Sequence, residues 1–174
     1  MTSATLFTRL ADRDRALFAR CLVDSTAPRV RRLFWTVITH LGGVSCSVLA
    51  ATVPIALGGT IADAARQTLG VLVVSHLVVQ IVKRTVSRPR PANTLDCATL
   101  VVEPDRFSFP SGHSAAAMAV AFGYALAFPS LAAPLVATAF LVGASRVFLG
   151  VHYPGDVLVG QLIAVLTGVA WHLV

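Results

Sequence analysis

Three short polar segments interrupt an otherwise apolar chain, and the most informative of them carries side chains suited to phosphate chemistry. This segment places Ser145 and Arg146 before His152 and Asp156. An arginine offers a bidentate fork to phosphate oxygens, a neutral imidazole is a nitrogen nucleophile near neutral pH, and a carboxylate can hold that imidazole in one tautomer. The spacing therefore predicts a phosphate site. The alternative assigns a snorkelling cation to Arg146, a helix cap to Asp156 and no task to His152.

A second polar segment, from Lys83 to Pro91, carries two basic residues that could reach one phosphate. Lys83 and Arg90 lie seven positions apart across a predicted helix end, and prolines stiffen the exit from that helix. The alternative is a stop-transfer cluster, because basic residues are common where membrane helices end. Arg84 and Arg88 are interpreted as stop-transfer residues of this type.

The third polar segment, Pro110 to Ser114, opens a predicted helix. Unpaired backbone N–H groups and the positive dipole end favour an anion at such a position. Ser111 adds a hydroxyl donor, Gly112 permits close approach of the backbone, and His113 is placed to protonate a leaving oxygen as a general acid. The alternative for His113 is a capping-region histidine that faces lipid headgroups.

Composition indicates a membrane protein rather than a soluble one. The 174 residues are 56% hydrophobic and only 13% charged. The net charge of +6 comes from basic residues beside long apolar runs, not from a continuous solvated stripe, so anionic lipid headgroups or a phosphorylated substrate are expected partners and nucleic acid is not. Three cysteines without metal-ligand spacing predict neither a zinc site nor a disulfide framework.

Hydrophobic periodicity predicts an all-α integral membrane helical bundle with about five transmembrane helices and an N-terminal interfacial amphipathic helix. The chain is expected to form one domain, 1–174, in which 3–24 is the interfacial helix and 65–174 the motif-bearing catalytic core. The predicted spans are 33–57, 64–82, 114–128, 131–149 and 157–174. The segment 85–109 is expected to be a surface loop, and its charged residues are interpreted as solvated rather than as a gate: Asp96, Glu103, Asp105 and Arg106.

This topology places the three polar segments on one side of the membrane, together with the N-terminus. Small residues such as Gly123, Gly143 and Gly160 would let the helices approach closely. Nearly all of the lysines and arginines share the face of the polar segments, whereas the opposite face holds only Arg66. The positive-inside rule therefore predicts a cytoplasmic site in a multi-pass protein of the plasma or inner membrane. The alternative is an outward-facing site, which a membrane crossing by the segment 6–22 would produce.

Together, the three segments resemble the type-2 phosphatidic acid phosphatase family, whose catalytic domain is related to the vanadium haloperoxidases. The motifs of that family are a lysine, six residues and Arg-Pro; Pro-Ser-Gly-His; and Ser-Arg, five residues, a histidine, three residues and an aspartate. The resemblance covers about residues 69–174. The motifs stand here as Lys83 with Arg90-Pro91, Pro110-Ser111-Gly112-His113, and Ser145-Arg146 with His152 and Asp156.

The resemblance implies hydrolysis of a phosphomonoester or diphosphate through a phosphohistidine, with neither metal nor cofactor. His152 would attack phosphorus, Asp156 would orient His152, and His113 would protonate the leaving oxygen. The other motif groups would hold the phosphate oxygens: Lys83, Arg90, Ser111, the N–H of Gly112, and Arg146.

The substrate expected from this resemblance is a lipid whose phosphate lies at the polar segments and whose tail lies in the bilayer. Undecaprenyl diphosphate and phosphatidate-like lipids are the leading candidates, and a polyprenyl-phosphoryl sugar phosphate is an alternative. A haloperoxidase is disfavoured by the apolar spans. A non-hydrolytic phosphate or lipid transporter would need a polar pathway through those spans.

Overall fold

The computed structural model of the protein describes residues 3–23, 26–95, 97, 99–102 and 105–173, with side chains from residue 8 onwards. Within these ranges the regular secondary structure is helical, apart from one isolated antiparallel bridge between Pro89 and Phe107, so the predicted all-α class is confirmed. The helices are α1 (Ser3–Cys21), α2 (Arg29–Leu41), α3 (Val44–Thr52), α4 (Gly59–Val86), α5 (Gly112–Ala127), α6 (Ala132–Phe148) and α7 (Pro154–Leu173).

The helices differ in how fully they could cross a bilayer. Three are long and apolar enough: α4, α7, and α6 together with the 3₁₀ turn that precedes it. The pair formed by α2 and the segment Val44–Leu57 is bent by 45° and makes a fourth span if it crosses as one unit. The 16 residues of α5 extend only about 24 Å, less than the hydrocarbon thickness of about 30 Å. The five predicted spans thus become three long helices, one bent pair and one short helix.

The bend in the first predicted span, 33–57, lies at Gly42 and Gly43. A Cβ added to Gly42 would lie 2.5 Å from Cγ1 of Val142 and 2.7 Å from the carbonyl oxygen of His113. Only glycine allows the chain to pass so close to the start of α5. The span predicted over 33–57 is therefore bent, and the bend brings the end of α2 against the polar segments.

The α5 helix lies at the centre of the bundle, packed against α4, α6 and α7. Its neighbours approach through small residues, as predicted. A Cβ on Gly123 would overlap the side chain of Thr68, and one on Gly143 would lie 2.6 Å from Cγ1 of Val157. The core around α5 is accordingly rich in alanine: Ala51, Val71, Leu72, Met118, Ala119, Ala121, Ala139 and Ala164.

The N-terminal helix α1 packs directly on the core of the bundle. Phe18 is only 1% exposed, and its ring lies 5.4 Å from the ring of Tyr153. Leu10 and Leu17 are half-exposed on another face of the same helix. The helix ends at Cys21 rather than at the predicted 24, and residue 24 is outside the described part of the chain. One side of α1 is therefore docked, and the other is free to meet a membrane surface.

The turn before α4 ends earlier in the chain than the start of the predicted span, residue 64. Gly58 and Gly59 have positive φ angles of 73° and 61°, and the helix begins at Gly59. Asp63, which precedes the predicted span 64–82, lies inside α4 and pairs with Arg66 at 2.6 Å. This correction lengthens α4, whose last turn carries Lys83.

Candidate active site

The polar segments meet where four helices begin or end. Lys83 lies in the last turn of α4 and Arg146 in the last turn of α6, while Ser111 caps the start of α5 and Asp156 lies in the first turn of α7. All four side chains are buried. Segments far apart in sequence therefore contribute to one polar cluster inside an apolar bundle.

His152 lies in the loop between α6 and α7, between an acidic and a basic side chain. Its Nδ1 is 3.6 Å from Oδ2 of Asp156, and its Nε2 is 3.4 Å from Nη1 of Arg90. Burial lowers the pKa of His152 well below its ordinary value, and the positive charges of Arg146, Arg90 and Lys83 lower it further. The ring is therefore neutral at physiological pH. With Nδ1 directed at the carboxylate, Nε2 presents its lone pair to the cationic groups.

Asp156 is fully buried and is held by groups that the motifs do not include. Nη1 of Arg88 donates to its Oδ1 at 2.7 Å, and the backbone N–H of Tyr153 donates to its Oδ2 at 2.9 Å. Nη2 of the same arginine donates to Oδ2 of Asp14 in α1 at 2.9 Å. The prediction that Arg88 is a stop-transfer cation is therefore wrong, because its guanidinium joins two carboxylates.

Lys83 and Arg90 converge on one carboxylate, that of Asp105. Nζ of Lys83 donates to Oδ2 at 2.9 Å and Oδ1 at 3.1 Å, and Nη2 of Arg90 donates to Oδ1 at 2.7 Å. Burial raises the pKa of the Asp105 carboxyl, but the hydrogen bond and charge of Lys83 and the charge of Arg90 outweigh it, so this pKa lies below its ordinary value. The interpretation of Asp105 as a solvated loop charge is wrong. An intramolecular anion bridges the two cations predicted to bind phosphate.

The start of α5 faces the same cluster. The backbone N–H of Ser111 donates to the carbonyl oxygen of Asp156 at 2.9 Å, which ties α5 to α7. Its hydroxyl oxygen accepts from the hydroxyl of Ser114 at 2.8 Å. A Cβ added to Gly112 would have no heavy atom within 4 Å, whereas one on Gly160 would overlap the Ser111 carbonyl oxygen. The helix terminus is therefore fixed on its α7 side and open at Gly112, where an anion can approach.

His113 and His152 belong to one electrostatic environment. His113 lies in the first turn of α5 and interacts with the charges of Arg146, Lys83 and Arg90, the same three cations that act on His152. The two imidazoles also interact with each other. The predicted acid and the predicted nucleophile are thus brought to one cluster of positive charge.

Arg146 is buried and is held by the bent first span. Its Nη1 donates to Oγ1 of Thr39 in α2 at 2.7 Å. Thr39, only 2% exposed, lies one turn before the Gly42–Gly43 bend. The first span lies outside the resemblance, which covers about residues 69–174, yet it supplies this contact.

A cavity of about 520 Å³ adjoins the pair formed by Arg90 and Asp105. Its wall combines polar and apolar groups: Arg90, Ala92, Asn93, Thr99, Leu100, Val101, Val102, Asp105 and Arg106. Arg106 lines this cavity and is exposed, which agrees with its interpretation as a solvated charge. Asp96 and Glu103, interpreted as solvated charges of the same loop, are outside the described residues.

The donor set of the site suits an anion. Within the described ranges, no three His, Cys, Asp or Glu side chains cluster as ligands of a metal ion. Lys83, Arg90 and Arg146 instead supply three cations around the two imidazoles. Such an arrangement can bind a phosphate group and stabilise additional negative charge on it.

Asp14, Arg88 and Thr39 belong to the site but were not selected from the sequence. One pattern could have identified Asp14, because it lies four positions before Phe18 and therefore on the docked face of α1. No comparable pattern distinguished Arg88 from the other basic residues near it in the sequence. Thr39 lies in an apolar run that gave no reason to expect a polar contact.

Comparison with known proteins identifies related membrane phosphatases. A family model described as the PAP2 superfamily matches residues 64–174. A decaprenylphosphoryl-5-phosphoribose phosphatase from Mycolicibacterium smegmatis is 35% identical over 132 residues, which cover 71% of this chain and 67% of that protein. A lipid A 1-phosphatase from Rhizobium johnstonii is 37% identical over 94 residues, or 51% of this chain.

The matched lengths differ between these relatives. The alignment covers only 38% of the Rhizobium protein, so the chain spans less than half of that relative. A solved structure, LpxE from Aquifex aeolicus, superposes with a TM-score of 0.79 at 26% identity, covering 91% of this chain and 94% of that one. The likeness of fold therefore extends well beyond the motif-bearing helices.

Proposed function

This chain belongs to the PAP2 superfamily, and from that premise we propose that it is a membrane phosphatase that hydrolyses a phosphomonoester or diphosphate of a lipid through a phosphohistidine. One observation carries the proposal. His152 lies between a carboxylate at 3.6 Å from its Nδ1 and an arginine at 3.4 Å from its Nε2. A nitrogen nucleophile thereby faces a cationic pocket while its other nitrogen faces an acid.

In the proposed first step, Nε2 of His152 attacks phosphorus. The bond between phosphorus and the leaving oxygen breaks, and that oxygen keeps the electron pair and takes a proton from His113. The phosphorylated imidazole gains a positive charge, which Asp156 stabilises through Nδ1–H. In the second step a water molecule attacks phosphorus and gives a proton back to His113. The bond between phosphorus and Nε2 breaks, inorganic phosphate leaves, and the ring of His152 is neutral again.

The cationic groups stabilise the charge that develops on the phosphoryl oxygens. Lys83, Arg90 and Arg146 would hold these oxygens, together with the Ser111 hydroxyl and the Gly112 N–H. Because the three cations and Ser111 are buried, their electrostatic contribution to the transition state is large. For Lys83 and Arg90, phosphate binding would replace the contacts with Asp105.

The substrate class follows from the surroundings of the site. The cavity of about 520 Å³ beside Arg90 offers polar groups for a headgroup larger than one phosphate, and the exposed apolar side chains of the helices would contact a lipid tail. Undecaprenyl diphosphate and phosphatidate-like lipids fit this description. A polyprenyl-phosphoryl sugar phosphate is the second candidate, favoured by the 132-residue match to the mycobacterial relative.

The location follows from the helices and the charge distribution. We propose a single domain, 1–174, with its catalytic core at 65–174 in the plasma or inner membrane and with the exposed side of α1 at the bilayer surface. The half-exposed Leu10 and Leu17 on α1 support this surface contact.

The first test is phosphate release from a lipid panel by the purified protein in detergent with EDTA present. The panel contains undecaprenyl diphosphate, phosphatidate, lipid A and a polyprenyl-phosphoryl sugar phosphate. We expect release from at least one lipid, and a loss of more than about 10³-fold in kcat for His152→Ala, because the nucleophile is gone. His76→Ala is the control, since His76 lies on α4 and contacts Gln80 instead of the site.

Two outcomes would contradict the proposal. Substantial turnover by folded His152→Ala would remove that residue from the nucleophile role. Saturable binding of a lipid phosphate without any phosphate release would instead support the transporter alternative.

A further inference from the structure

A line of charged contacts leaves the motif residues and ends on the N-terminal helix. From this geometry we infer that Asp14 is a positioning residue for the phosphatase reaction, acting through Arg88 on the carboxylate of Asp156. The inference rests on the proposed function, because Asp156 matters only if His152 reacts. It adds α1, which lies outside the resemblance and the matched family region, to the catalytic machinery.

Both carboxylate oxygens of Asp14 are engaged. Oδ2 accepts from Nη2 of Arg88 at 2.9 Å, and Oδ1 accepts from the backbone N–H of Gly155 at 2.8 Å. Gly155 directly precedes Asp156 at the start of α7. A single side chain therefore fixes both the arginine that holds Asp156 and the backbone that carries it.

Arg88 is in turn restrained on three sides. Nη1 donates to Oδ1 of Asp156 at 2.7 Å, Nη2 donates to Asp14, and the guanidinium carbon lies 4.0 Å from the ring centroid of Tyr153. A planar guanidinium held in this way has one orientation, so it transmits the position of Asp14 to Asp156. A lysine could not make the same two-sided contact.

Charge gives Asp14 a second effect. Arg88 alone would neutralise Asp156 and weaken its ability to stabilise a cationic imidazole. With Asp14 included, the three groups carry a net charge of −1. This charge matters when His152 becomes positively charged during attack, and it has little effect on binding of the lipid phosphate. Loss of the Asp14 charge should therefore lower kcat and leave KM nearly unchanged.

The docking of α1 does not depend on this charge alone. Phe18, one turn later on the same face, is buried against Tyr153. Asp14→Asn also keeps a carbonyl oxygen that can accept from the Gly155 N–H. The substitution therefore removes the charge with the smallest change in packing.

The test compares Asp14→Asn with Asp12→Asn in steady-state hydrolysis of the lipid that the wild-type protein cleaves fastest. Asp12 is a matched control because it lies on the same helix, has 72% side-chain exposure and pairs only at 3.7 Å with Arg15. We expect kcat to fall about tenfold in Asp14→Asn with KM within about twofold of wild type. Asp12→Asn should behave as wild type, and Asp14→Glu should recover most of the loss.

A double-mutant cycle identifies the route of the effect. If Asp14 acts through Arg88, adding Asp14→Asn to an Arg88→Gln protein should change kcat by less than about twofold. The inference is overturned if Asp14→Asn matches Asp12→Asn, if its loss persists in full in the Arg88→Gln background, or if the loss lies in KM. Asp14→Ser is the second variant should Asp14→Asn fail to fold, and the same outcomes apply to it.

The wild-type protein separates this inference from the proposed function. Absence of turnover on every lipid of the panel would overturn both. Turnover by the wild-type protein with an unaffected kcat in Asp14→Asn would overturn the role of Asp14 alone.

Discussion

The imidazole of His152 has an environment that favours its neutral form. Its side chain is buried, and the positive charges of Arg146, Arg90 and Lys83 oppose a further positive charge on the ring. Burial contributes most to the lowered pKa. A residue placed in this way keeps a nucleophilic nitrogen at pH values where an exposed histidine would be protonated.

This environment predicts how stability depends on pH. In the unfolded chain His152 takes up a proton near its usual pKa of about 6.5, whereas in the folded protein it does so only at lower pH. The unfolded state therefore binds more protons below pH 6.5, and the folded state loses stability as the pH falls. We expect the melting temperature of the wild-type protein in detergent to decline between pH 6.5 and 5 more steeply than that of His152→Gln.

The comparison of wild type with His152→Gln isolates the titration of His152, because the two proteins share all other titrating residues. The limiting difference is about 1.4 kcal/mol per pH unit below the unfolded pKa. Parallel melting curves over this range would show that the pKa of His152 is not lowered in the folded protein.

The position of the site residues could be predicted where motif spacing constrains it. The sequence predicts six charged or titratable side chains for the site, and the structure brings them to one cluster: Lys83, Arg90, His113, Arg146, His152 and Asp156. Asp105 and Arg88 were assigned to solvent or headgroups because their partners are distant in sequence. Asp105 contacts Lys83 across 22 positions, and Arg88 contacts Asp14 across 74. No local pattern encodes such pairs.

At the scale of elements, the site is formed by the ends of four helices. The ends of α4 and α6 supply cations, while the starts of α5 and α7 supply backbone N–H groups and a carboxylate. Positive dipole ends at the starts of helices favour an anion there. The sequence predicted this convergence from the order of spans, but the bend at Gly42 and Gly43 was missed because hydropathy does not distinguish a broken apolar helix from a continuous one.

The position of Asp105 predicts that its carboxylate competes with phosphate for Lys83 and Arg90. Its carboxylate accepts hydrogen bonds from both Lys83 and Arg90, so a phosphate analogue must displace it to reach the two cations. We expect Asp105→Asn to bind orthovanadate about tenfold more tightly than wild type, a change of about 1.4 kcal/mol. Isothermal titration of the purified protein in detergent would measure the affinity.

Asp63→Asn serves as the control for this experiment. Asp63 pairs with Arg66 at the exposed beginning of α4, far along the helix from Lys83. Its substitution should leave vanadate binding unchanged. If Asp105→Asn binds vanadate equally well or more weakly, the carboxylate orients the two cations and does not compete with the anion.

At the scale of the whole molecule, the exposed apolar surface matches a bilayer environment. Large hydrophobic side chains follow helical stripes on the outside of the bundle, with Leu158, Leu162 and Leu166 spaced four apart on α7. A second stripe runs along α2 through Val30, Leu33 and Val37. The interior is instead packed by alanines and glycines, which is typical of membrane helices that approach closely. Composition alone predicted this division.

The direction in which the site faces is a property of the whole charge distribution. The end of the bundle that holds the site also holds α1 and nearly all of the arginines, whereas Arg66 lies near the opposite end. The positive-inside rule then predicts a cytoplasmic site. This orientation would make the site accessible to lipids synthesised on the cytoplasmic leaflet.

Labelling of single cysteines tests this orientation in cells. In a protein whose native cysteines, Cys21, Cys46 and Cys97, are replaced by serine, Val102→Cys reports on the site face because Val102 is 97% exposed. Ser130→Cys reports on the opposite face, since Ser130 is exposed in the turn between α5 and α6. With a membrane-impermeant maleimide, we expect intact cells to label only Ser130→Cys and permeabilised cells to label both. The reverse pattern in intact cells would place the site outside, because the two positions lie at opposite ends of one helical bundle and cannot exchange sides without inverting every span.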